Sequence, residues 1–133
     1  MIALDTNVLV RLVTNDDPQR AKLAARLIDS NKPFFVPLTV SLELEWVLRG
    51  AYRLDRDTIA HCFESLLAIR NVAFEVDASV VQAIGLYQSG FDFADALHLA
   101  SSARCNELAT FDHDFYKKSK RLKTVPTVSR IDS

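Results

Sequence analysis

Apolar positions along the chain alternate between two spacings. Short unbroken runs at Ile2 to Leu4, Phe34 to Val36, Val72 to Val76 and Leu108 to Phe111 predict buried strands. Thr124 to Val128 predicts a fifth strand, at a sheet edge because Pro126 has no N–H for the ladder. Between these runs the apolar residues recur at helical spacing. Val8, Leu9, Leu12 and Val13 follow Asp5 in this way, and Asp17-Pro18 reads as a cap and first residue of a helix running through Ile28 and stopping before Pro33. Further helices are expected from Thr39 to Tyr52, from Asp57 with Ile59, Phe63, Leu66 and Leu67 on one stripe, from an Asp77 cap to near Gly90, and from Asp92 to Arg104. Short strands alternating with longer helices indicate an α/β domain with a mainly parallel sheet and helices on both faces. In such folds ligands bind beyond the carboxyl ends of the strands.

No repeat, linker or compositional break divides the 133 residues, so a single domain over 1–133 is expected. Half the chain is hydrophobic (49%) and only three residues are Gly, which excludes disordered and collagen-like readings. No apolar run approaches the length of a membrane span, and the opening MIALDTN lacks the basic region of a signal peptide. The expectation is a cytoplasmic protein with no membrane partner. Cys62 and Cys105 are far apart in sequence and are read as two reduced, partly buried thiols rather than a disulfide or zinc framework. A net charge of −1 argues, on its face, against a nucleic-acid partner.

The placement of the acids changes that picture. Asp5 follows the first strand and Asp112 the fourth, so the two carboxylates share a sheet edge if those strands are neighbours. In the helix from Thr39, Val40, Leu44, Val47, Leu48 and Ala51 form the apolar face, Glu43 lies on its margin, and Glu45 lies opposite as a solvated pair with Arg49. A carboxylate against an apolar face loses hydration that something must replace. In DFADALHLA, Asp92 is explained as a helix cap, whereas Asp95 sits inside the first turns between Ala94 and Ala96. Acids from four segments would repel by ~4 kcal/mol per pair at ~4 Å and an effective dielectric near 20. A divalent ion resolves this, and oxygen ligands without paired His or Cys favour Mg²⁺ or Mn²⁺ over zinc.

Asp5-Thr6-Asn7-Val8-Leu9, Glu43 in SLELEWVL, Asp95 in DFADALHLA, and Asp112 with Asp114 in ATFDHDF together resemble the PIN-domain ribonucleases, especially the VapC-type toxins of toxin–antitoxin pairs. The resemblance spans nearly the whole chain. It implies a three-layer α/β/α sandwich around a short-stranded central sheet and Mg²⁺- or Mn²⁺-dependent endonucleolytic cleavage of RNA. It also implies a homodimer held in check by a VapB-type antitoxin, in a heterotetramer or larger complex. Carried over by position, Asp5, Glu43, Asp95 and Asp112 are the catalytic acids and metal ligands, with Asp114 an alternative or additional ligand to Asp112. Thr6, Asn7, Asp92 and Thr110 resemble supporting positions that orient those carboxylates. His98, one turn after Asp95, either approaches the site or is a satisfied, partly buried histidine.

Between Phe115 and Val125 lie Lys117, Lys118, Lys120, Arg121 and Lys123 and no acid. The run is either solvated surface or a set of RNA phosphate contacts beside the acids, with Tyr116 as a stacking partner for an unpaired base. With four acids set aside at an ion, the rest of the chain carries a positive balance, so the objection from net charge falls away. Trp46 and Leu42, off the main face of their helix, are read as a dimer or antitoxin surface or as a second core contact. Two rivals stand beside the toxin ribonuclease. One is a non-catalytic PIN-fold module that binds RNA or protein; the other is an aspartyl-phosphate protein of the receiver type, whose acids also gather around Mg²⁺.

Overall fold

A computed structural model describes residues 1–132, with seven helices and five strands among them. The chain forms two compact units, Met1–Asp77 and the segment from Ala78 on. In chain order, the first unit holds β1 (Ile2–Ala3), α1 (Thr6–Val13), α2 (Pro18–Asp29), β2 (Phe34–Val36), α3 (Leu38–Gly50), α4 (Arg56–Leu67) and β3 (Val72–Phe74). The second unit follows with α5 (Asp77–Gln88), whose first residue closes the first unit, then α6 (Phe93–Ala100), β4 (Glu107–Thr110), α7 (His113–Leu122) and β5 (Thr127–Arg130).

In the first unit the strands lie in the order β1-β2-β3, all parallel, with Ile2 opposite Phe34 and Phe34 opposite Val72. A parallel ladder requires a crossover between neighbours, and a helix pair supplies each one here. Phe34 and Val36 of the central strand are fully buried, which explains why that strand reads as an unbroken apolar run. Asp17 accepts from the Arg20 N–H at 3.1 Å with Pro18 next to it, as the sequence predicts for the start of α2. The next expected start shifts. Asp55 rather than Asp57 caps α4, accepting from the Thr58 N–H at 2.8 Å, and Asp57 joins the first turn, where the helix dipole favours an acid.

The buried face of α3 differs from the expected one. Ser41, Leu44, Glu45 and Leu48 are buried, whereas Glu43 is exposed. Glu45 is therefore not a solvated acid: it is 3% exposed and accepts from Arg49 Nε at 2.8 Å. The helical pairing was legible, but the wheel was rotated by the assumption that acids face water. Trp46 and Leu42 are 65% and 39% exposed, so neither acts as a second core contact.

The second unit carries its own two-stranded parallel ladder, β4 on β5, with Glu107 opposite Thr127 and Thr110 opposite Arg130. β4 thus pairs with β5 and β1 with β2, each ladder lying within its own unit. The crossover joining β4 to β5 is α7, which overlaps the basic run and was not expected as a helix. Phe115 and Ser119, four residues apart, give it a narrow buried face, too sparse to stand out among the lysines. The fifth strand begins after Pro126 rather than at Thr124, which frees the ladder from the missing donor. The ring of Phe91 meets that of Phe115 edge-on at 5.8 Å, and Tyr87 meets Phe93 at 5.3 Å. Cys62 is half-buried and Cys105 exposed, both free thiols, so only the first fits the expected partial burial.

Candidate active site

Asp5 follows β1 at its carboxyl end and caps α1, accepting from the Thr6 N–H at 2.8 Å. Thr6 is buried, and its hydroxyl donates a short hydrogen bond to Glu43 Oε1. One residue therefore holds two acids from segments nearly forty positions apart, Asp5 through its amide and Glu43 through its side chain. Each carboxylate spends one oxygen on Thr6, and both side chains stand on exposed residues. Asn7, next in α1, is exposed and borders a groove of about 350 Å³ with Val8, Arg11 and Leu23.

Sequence reasoning missed two acids of this unit. Glu75, directly after β3, accepts from the Leu38 N–H at 2.7 Å and so caps α3, whose own preceding residue is Pro37 and offers no side-chain cap. Asp16 accepts from Tyr52 Oη at 2.8 Å and from Arg11 at 2.9 Å, and the tyrosine hydroxyl above all lowers its pKa. An unfilled cap position was the one available signal for Glu75; nothing local announces Asp16.

The second unit gathers a different set. Asp92 caps α6, accepting from the Asp95 N–H at 3.2 Å. Asp95, half-buried in the first turn, has its pKa raised by burial first and then by the charges of Asp92 and Asp112, with His98 and Lys118 opposing. Asp112 caps α7 through the Phe115 N–H at 3.1 Å, and its own N–H donates to Thr110 Oγ1 at 3.0 Å. Thr110 thus steadies the backbone of Asp112 rather than its carboxylate. Asp114 stands exposed in the first turn of α7, while Asp112 is its cap. His98 is exposed, so the reading of a buried histidine is not met.

The basic run divides on α7. Lys118 donates to the Gly90 carbonyl at 3.1 Å and is the one cation of the run that acts on Asp95. Lys120 and Lys123 border a cavity that none of those acids lines, and Lys117 and Arg121 are exposed.

The donor chemistry suits a hard divalent cation: carboxylate oxygens, no paired thiol or imidazole, and an acid whose ionisation is opposed by its neighbours. Among the described residues no three His, Cys, Asp or Glu side chains stand close enough to hold an ion as a group. Mg²⁺ keeps several waters and needs only one or two carboxylates, which the pair on Thr6 provides.

The model of the PIN domain family matches residues 2–121. The chain belongs to that family. The short parallel strands and seven helices of this PIN domain agree with the three-layer α/β/α architecture expected from the sequence. Membership makes it a nuclease-type fold, in a family whose enzymes are typically Mg²⁺-dependent. A search of curated proteins found no match. No described helix of the PIN domain is long and apolar enough to cross a membrane.

Proposed function

We propose that this PIN domain is a metal-dependent endoribonuclease and the VapC-type toxin of a toxin–antitoxin pair, cytoplasmic, dimeric, and restrained by a VapB-type antitoxin. The observation that carries the reading is Thr6, which fixes Asp5 and Glu43 together while leaving each an oxygen to spend elsewhere. Asp5, Glu43, Asp95 and Asp112 are the proposed ligands, with Asp114 as a contributor through water. These carboxylates would hold a divalent ion, which would supply Lewis-acid activation of the attacking water and offset charge on the leaving oxygen of a phosphodiester. The chain's own part is orientation. Thr6 and the α1 amide hold two carboxylates, Asp92 holds the start of α6 so that Asp95 keeps its place, and Lys118 brings a positive charge for phosphate.

The test is cleavage of RNA by purified protein with Mg²⁺ or Mn²⁺ and after chelation, alongside Asp5→Asn and Asp95→Asn, and growth after induction of each. Cleavage and growth arrest should require the metal and both acids. Full cleavage by the double variant would sink the assignment. A second reading, a PIN module that binds RNA or protein without cutting, draws support from the lack of a ready three-ligand cluster among the described residues. It predicts binding to RNA with no metal-dependent products across a broad panel.

A further inference from the structure

The two halves of the basic run on α7 do different things. Residues two apart on a helix point about 200° apart, so Lys118 and Lys120 face opposite ways. Lys118 donates to the Gly90 carbonyl, and its charge favours the ionised form of Asp95. Lys120 and Lys123 border a cavity of about 380 Å³ between α7 and β5, walled also by Tyr116, Ser119, Thr124 and Val128. No carboxylate lines it, and neither lysine makes an ion pair among the described residues. The Lys120 ammonium stands 5.3 Å from the centroid of the Tyr116 ring, within reach of a cation–π contact. Ser119 and Thr124 donate their hydroxyl protons to the carbonyls of Tyr116 at 2.7 Å and Pro126 at 3.2 Å, which leaves their oxygens as acceptors toward a ligand.

We propose that this cavity is a nucleotide subsite, taking one unpaired nucleotide of the RNA with its base against Tyr116 and Val128 and its phosphate between Lys120 and Lys123. The size suits a small ligand. Lysines alone would serve any anion; the aromatic ring beside an apolar wall selects a flat base over the side chains of an acidic peptide. Lys123, in the left-handed conformation just past α7, has its backbone held there by its N–H donating to the carbonyls of Lys120 and Ser119, which fixes where the two side chains leave the chain. That the polymer is RNA rests on the ribonuclease reading; that the cavity takes a base with a phosphate does not.

The experiment uses the full chain in chelator, where no cleavage intervenes. Titrating ¹⁵N-labelled protein with AMP should shift the amides of Tyr116, Thr124 and Val128 to saturation, and inorganic phosphate should shift Lys123 and Thr124 more weakly. Tyr116→Ala should weaken AMP binding at least about fivefold, the low end of one stacked base, and Tyr116→Phe should restore it. For a short single-stranded RNA, Lys120→Ala and Lys123→Ala should each flatten the log–log salt dependence by about 0.7. The proposal is overturned if AMP shifts fall elsewhere, if a polyglutamate peptide binds the same amides as tightly, or if Tyr116→Ala changes nothing. Should Tyr116→Ala fail to fold, the shifts in the unaltered protein decide. A protein that cuts RNA without AMP shifts here loses the subsite and keeps the nuclease. One that binds AMP here yet never cuts keeps the subsite and loses the nuclease.

Discussion

The acids of the first unit and those of the second are arranged by opposite means. Asp5 and Glu43 are joined through a neutral intermediary, since Thr6 donates to both, and neither carboxylate needs the other's proton. In the second, the charges of Asp92 and Asp112 bear on Asp95, whose pKa is raised by burial first and then by those neighbours. The first set is pre-organised, because donors in place before any ligand arrives cost nothing to assemble. The second set is under electrostatic tension that an added cation relieves. If both serve one chemistry, substitutions should separate orientation from charge: damage to the first set should be repaired by geometry, and damage to the second by removing charge.

The largest expected effect is on cleavage itself. Asp5→Asn and Asp95→Asn each remove a proposed ligand, and transition-state stabilisation by an ion is worth several kcal/mol, so the rate should fall by about a hundredfold or more in both. Equal losses would say that cleavage needs both sets. A rate reduced in one variant and untouched in the other would break the comparison.

Next in size is Thr6. Thr6→Val keeps the shape and the amide that Asp5 uses but removes the hydroxyl that Glu43 accepts from. Loss of an orienting partner typically costs about 10–100-fold in metal affinity or activity, and Thr6→Ser should recover most of it. The measurement is the Mg²⁺ concentration for half-maximal cleavage. A Thr6→Val protein with unchanged metal dependence would show that the bridge is structural only.

How far the sequence made these arrangements legible follows from what each depends on. The buried run Phe34–Val36 and the Asp17-Pro18 start are local, and were read directly. Glu45 was misjudged because its burial depends on which way α3 is rolled, and charge is a poor guide to roll when Arg49 lies one turn on. α7 was hidden for a related reason: with Phe115 and Ser119 its only buried residues, its apolar periodicity is swamped by lysines. The candidate acids could be named from order and spacing, but the hydroxyl of Thr6 reaching Glu43 depends on tertiary placement of α1 against α3, and the cap that Glu75 gives α3 depends on strand register. The cap that Asp112 gives α7 was hidden along with that helix.

A smaller effect sharpens the comparison from the stability side. Asp95 has a folded-state pKa above its unfolded value, so the folded state binds the proton more tightly and ΔG of unfolding falls as pH rises from the unfolded pKa through the folded one. The penalty is complete above the folded pKa and absent below the unfolded pKa. Asp95→Asn removes it, so in chelator the variant should melt at a higher temperature than the parent at neutral pH, with the gain fading as pH is lowered past the ordinary carboxylate range. Asp95 is only half-buried, so screening by solvent keeps the gain within the ~0.2–1 kcal/mol typical of exposed charges. Mg²⁺ should raise the melting temperature of the parent and have less effect on the variant. The same substitution at Asp5 should bring no such gain, because its carboxylate accepts the α1 amide, and an Asn cap is at best equal to it. If Asp5→Asn stabilises the metal-free protein as Asp95→Asn does, then both sets are under charge strain, and the bridging role of Thr6 is not what distinguishes the first from the second.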